Sequence, residues 1–145
     1  MINKASRLEP LANFAGLRED EAARRLAAST GQIQAKEAEL ERLRGYLAEY
    51  RQRAERESTD STRWQNARQF LSRLSDAVAH HERELQNAIE RHRFETERWR
   101  DSHQRAQVLD KVIERSQREQ VHALQRRDQA ELDERAARHN VQPRR

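Results

Sequence analysis

The stretch "ESTDSTR", residues 57–63, decides how this chain folds. Five small hydroxyl or acidic residues, Ser58, Thr59, Asp60, Ser61 and Thr62, stand together between long runs of Arg, Glu, Gln, Leu and Ala. Both prolines lie near the ends, at Pro10 and Pro143, and the three glycines are Gly16, Gly31 and Gly45. Such sequence favours helix almost throughout, broken only where the period breaks.

The period breaks at this patch. Upstream, an apolar spine repeats every seventh residue at Leu26, Ile33, Leu40, Leu47 and Ala54, the a positions, with Ala15, Ala22, Leu43 and Tyr50 at d. Downstream, the a row is Leu71, Val78, Leu85, His92, Trp99, Ala106 and Ile113, with Ala67, Leu74, His81, Ala88 and Leu109 at d. The two frames do not share a phase across the patch, so the chain turns there.

In an antiparallel pair, a of one helix faces d of the other. Mates whose numbers total 121 satisfy this and centre the turn between Asp60 and Ser61: Leu47 with Leu74, Leu43 with Val78, Tyr50 with Leu71, Ala22 with Trp99 and Leu8 with Ile113. Thr62 and Gln65 match the capping-box spacing at a helix start. Ser29-Thr30-Gly31 is a rival break, but Leu26, Ile33 and Leu40 keep their spacing across it. The expectation is an all-α fold, a long two-helix antiparallel coiled-coil hairpin. An N-terminal segment covers 1–10, helices 11–57 and 62–138 flank a turn at 58–62, and a flexible tail covers 139–145.

The seam is uneven. Layers near the turn are apolar, the middle carries Lys36, Ser29, His92 and Glu95, and the open end recovers with Ala22, Trp99, Leu8 and Ile113. The middle is therefore expected to be the looser part. After about residue 115 the second helix has no mate, an overhang of about 23 residues or roughly 35 Å. It carries Val121, Leu124 and Leu132 along one stripe.

Composition agrees with a thin seam rather than a thick core: 34% of residues are hydrophobic, 5% aromatic and 37% charged. The 29 basic and 25 acidic residues are interleaved, which suits a solvated helix pair. Despite a pI near 10.1, basic residues never form long blocks interleaved with aromatics, so nucleic acid is not an expected partner. The chain has no Cys, no apolar run long enough to span a bilayer and no signal-like N-terminus, and it reads as cytoplasmic. His81, His92 and His103 share a face but stand ~16 Å apart along a helix, too far for one ion. With no phosphate loop, nucleophile elbow or H-E-x-x-H motif, neither metal, cofactor nor catalysis is expected.

What remains is surfaces. Phe70, Leu74, Ala77 and His81 form a strip at i, i+4, i+7 and i+11 just after the turn, packed on the first helix or open to a partner. A resemblance bears on that choice. "YLAEYRQR" (46–53), "RWQNARQFLSRLSDAVAHHERELQ" (63–86), Trp99 and "RRDQAELDERAARH" (126–139) resemble the flagellar type III export protein FliJ over about residues 8–139. Asn66-Ala67 stands where that family often shows Asn-Tyr before the Phe.

The resemblance implies a hairpin similar to a rotary ATPase central stalk. It would join the hexameric flagellar export ATPase to the membrane export-gate protein and help recycle export chaperones. The strip of Phe70, Leu74, Ala77 and His81 would then face the gate. The overhang, with Val121, Leu124, Arg126, Arg127 and Leu132, would face the ATPase. The expected place is the cytoplasmic side of the inner membrane, peripheral to it. Two other readings compete: the equivalent stalk of a virulence injectisome, and a structural or nucleic-acid-associated coiled coil. The thin seam also leaves room for weak pairing with a second copy.

Overall fold

A computed structural model describes residues 3–56 and 61–141. Two helices, α1 (Lys4–Arg56) and α2 (Ser61–Asn140), pack against each other as a helical hairpin. The expected turn residues Ser58, Thr59 and Asp60 lie outside the described residues, as does the end of the tail, 142–145. Because α2 already includes Ser61, Thr62 sits inside the helix rather than at its cap, a shift within the usual spread of helix boundaries.

α1 starts at Lys4, well before Leu11, with Pro10 inside it. Asn3 explains the early start: its side-chain Oδ1 accepts the Ser6 N–H at 2.7 Å, a side-chain cap on a free backbone donor. Its Nδ2 also donates to Gln120 Oε1 across the hairpin at 3.0 Å, and Ala5 is buried. These contacts offset an interior proline that alone costs about 3 kcal/mol. The sequence reading stopped the helix at Pro10 because neither contact shows in local propensity.

Ser29-Thr30-Gly31 does not interrupt α1. Both hydroxyls donate to the Leu26 carbonyl, Ser29 at 2.8 Å and Thr30 at 3.1 Å, so they are satisfied within the helix.

Packing divides the chain into two units, 20–100 and 1–19 with 101–145. In the first, Leu40, Leu47 and Val78 are buried, with Leu43, Leu71, Leu74 and Leu85 packed around them. The Tyr50 and Phe70 rings meet edge-on at 4.8 Å, and Lys36 Nζ reaches Glu84 Oε2 at 3.2 Å. Both pairs fall one position from mates totalling 121. Farther from the turn the buried residues are small: Ala22, Ser29 and Ala88, the last only 2% exposed. Burial away from the turn thus falls to small side chains, which remove little apolar area from water.

In the other unit Ala5, Ala106 and Ser116 are buried, and His103 Nδ1 lies 2.6 Å from Glu19 Oε1. Ser116 was expected to begin the bare overhang; it is covered because α1 starts early. Unpaired sequence begins after Gln120, and every described residue from 121 to 141 is exposed.

Candidate functional site

Near the turn, the four residues of the proposed strip are not equivalent. Phe70 is 47% exposed. Leu74 packs on the Leu40–Leu47–Val78 cluster, and Ala77 and His81 are half-buried. The strip therefore runs from a seam edge into the seam, with Phe70 as its open member. Phe70 holds a g position, at the edge of the d row that carries Leu74 and His81, and a two-helix seam covers d more fully than g.

Beside Phe70 lies a groove of about 370 Å³ lined by Tyr50, Arg53, Arg63, Trp64, Asn66 and Phe70, among others. Its aromatic rings are half open: Tyr50 is 38% exposed and Trp64 46%. Arginine side chains brace them, Arg53 over Tyr50 at 5.5 Å and Arg68 over Trp64 at 5.0 Å. Sequence reasoning placed Tyr50 in the seam and gave Trp64, one heptad before Leu71, no surface role, because heptad spacing does not show where a seam runs out. A signal was present: Arg follows Trp64, Phe94 and Phe14 by four residues, a spacing that stacks a cation on an exposed ring.

One turn farther along α2 is a charged knot. Glu84 receives a hydrogen bond from Lys36, and His80 Nε2 lies 3.1 Å from its other oxygen. His81 is more distant, at 3.8 Å. The Lys36 hydrogen bond and then the Lys36 charge hold the Glu84 carboxyl below its ordinary value of 4.5, with smaller help from His80 and His81 against the opposing effect of desolvation. Farther from the turn, the Glu95 Oε2 atom is buried and has no hydrogen-bond partner.

The extension of α2 is a solvated helix. Val121, Leu124 and Leu132 are each more than half exposed. Arg126 Nε donates to the His122 carbonyl at 3.4 Å, and Arg127 lines a shallow groove with Gln120, Ala123 and Leu124. Pairs four residues apart, Gln129 with Asp133 and Arg138 with Glu134, support the helix without a second strand. In the same unit Leu11, Phe14 and Val108 are also more than half exposed and line a second groove with Arg18 and Arg105.

Among the described residues, no group of His, Asp and Glu is placed to hold a metal ion. Among the same residues, no helix is long and apolar enough to cross a membrane. No curated protein and no solved structure matches the chain. The family model described as "Flagellar FliJ protein" matches residues 3–145.

Proposed function

Because this chain belongs to the flagellar FliJ family, we propose that its hairpin is the cytoplasmic stalk linking the hexameric export ATPase to the membrane export gate. Membership makes the chain a component of the flagellar export apparatus, in a family that is not catalytic. Promotion of ATPase assembly, recycling of export chaperones and a peripheral position at the inner membrane are the finer parts of the proposal. The flagellar character of the family supports this system over an injectisome.

The observation that carries the reading is the match over residues 3–145 falling on a helical hairpin. Each end then offers a surface for a different partner. The exposed Val121, Leu124 and Leu132, with Arg126 and Arg127 beside them, are the ATPase-facing residues. Phe70, Leu74, Ala77 and His81 are the gate-facing residues, and the exposure of Phe70 supports that role.

Phe70→Ala is the informative variant, because Leu74 also packs in the seam. Binding to the cytoplasmic part of the gate protein, measured by calorimetry, is expected to weaken about tenfold or more while the helical circular-dichroism signal stays unchanged. Unaltered gate binding by Phe70→Ala would remove the strip from the proposal.

A further inference from the structure

The groove beside the turn is built for something the strip alone does not describe. Tyr50, Trp64 and Phe70 line it with aromatic rings, and among the described residues its charged lining is Arg53 and Arg63. The groove near residues 11–18 includes Asp101, and the one beside Leu40 includes Glu82. The turn-end groove thus combines ring surface with two arginines and, among its described lining residues, no carboxylate. Arg53 shares its charge with Glu49 at 3.3 Å in an exposed pair, which is a weak hold. Arg63 has no carboxylate in salt-bridge range among the described residues. Asn66 adds an amide that both donates and accepts, suited to an extended backbone.

We propose that this groove receives an extended acidic peptide segment of a partner protein, with one apolar anchor side chain against Tyr50, Trp64 and Phe70 and a neighbouring carboxylate on Arg63. The volume, about 370 Å³, sits at the small end of ligand clefts, which run from ~300 to ~1,000 Å³. It suits one anchor and its neighbours rather than a whole folded surface. A guanidinium fork meets a carboxylate with two parallel hydrogen bonds, which gives direction as well as attraction.

Other polyanions fit less well. Single-stranded nucleic acid needs a basic track and a series of open ring faces; here two arginines border one cleft, and Arg53 and Arg68 already lie over Tyr50 and Trp64. An anionic membrane would also meet Glu49 and Glu55 on the exposed surface of α1. The inference deepens the reading of the turn end as a docking end and rests on it, adding Tyr50, Arg53, Arg63, Trp64 and Asn66 to the surface.

The test uses full-length protein and a fluorescein-labelled short peptide of Glu and Asp with a single central Phe, followed by fluorescence anisotropy. A companion peptide has Ala at the centre. Saturable binding is expected, weaker by about tenfold for the Ala peptide and by about tenfold or more for Arg63→Glu. Arg63→Lys keeps the charge but loses the fork, and is expected to fall between the two. Trp64→Ala is expected to lose binding of the Phe peptide with an unchanged helical signal.

No saturable binding by the unaltered protein would overturn the proposal, as would equal binding by Arg63→Glu. Tighter binding of oligouridylate or of phosphatidylglycerol vesicles than of the peptide would overturn it in favour of that other polyanion. The two levels of the account separate in a gate-binding assay. Gate binding that is lost in Phe70→Ala but untouched in Arg63→Glu and Trp64→Ala would sink the groove and leave the stalk. Peptide binding without gate binding would do the reverse.

Discussion

Replacing Glu95 by Leu is expected to make this protein more stable. Glu95 stands in the d row of α2, opposite Leu26 in the register, and is half-buried. Its Oε2 is buried without a hydrogen-bond partner. A buried, unsatisfied acceptor costs about 1–3 kcal/mol. A Leu there removes that cost and, half-covered, adds about 1 kcal/mol of apolar burial. Discounted for a site that is only half-buried, the net gain is about 1–3 kcal/mol. For a chain of this size that raises Tm by roughly 3–10 °C. Thermal melts followed at 222 nm measure it, with Glu95→Gln as the control. Gln removes the charge but keeps a polar group in the same place, so it is expected to recover less of the gain than Leu does. Destabilisation by Glu95→Leu of about 1 kcal/mol or more would refute the reasoning, because it would mean that the carboxylate is satisfied.

Three further outcomes follow from the packing and the charges. Leu40→Ala opens the cluster nearest the turn, where Leu40 is 3% exposed, and is expected to cost about 2–4 kcal/mol in urea unfolding; Leu132→Ala on the bare extension is expected to change stability by less than about 0.5 kcal/mol. Gly31→Ala and Gly45→Ala each place a methyl where nothing lies within 4 Å, so each is expected to add about 0.8–1 kcal/mol, and together roughly the sum. A loss from Gly31→Ala would mean that α1 is broken there. Glu84 is held below 4.5 by Lys36, so its contribution is present above the ordinary carboxylate range and fades as pH falls from about 4.5 through the depressed folded value. In Lys36→Met a carbon-13 titration of the Glu84 carboxyl is expected to move upward, and the stability difference from the unaltered protein to shrink on acidification. A Glu84 titration that does not move would show that Lys36 is not its main partner.

The hairpin was legible because seven-residue spacing is a property of the chain itself. Leu26 to Ala54 and Leu71 to Ile113 set two frames, and the change of phase between them left one place to turn. Spacing alone leaves the register open by steps of seven, and the position of the serine-threonine patch selects one of them; Tyr50 with Phe70 and Lys36 with Glu84 lie within one position of it. The start of α1 was not, because Asn3 offsets Pro10 through a cap and a cross-hairpin hydrogen bond to a residue 117 positions away.

The surfaces were legible in part. A strip at i, i+4, i+7 and i+11 names Phe70, Leu74, Ala77 and His81 but not how far each is covered. That depends on how the seam grades from d to g. Tyr50 and Trp64 show the complementary failure: a heptad position promises burial only while a partner helix is alongside. Near the turn that cover thins, and the rings become the wall of a groove instead.

The proposed stalk role requires that this hairpin act on the export ATPase. ATP hydrolysis by the cognate flagellar export ATPase, as the full-length chain is titrated in beside a chain ending at Gln120, tests it most directly. Stimulation by the full chain that disappears with the shortened one is predicted, because the shortened chain keeps the seam and loses Val121, Leu124, Arg126, Arg127 and Leu132. No stimulation by the full-length protein, at concentrations where its helical signal is intact, would contradict the account.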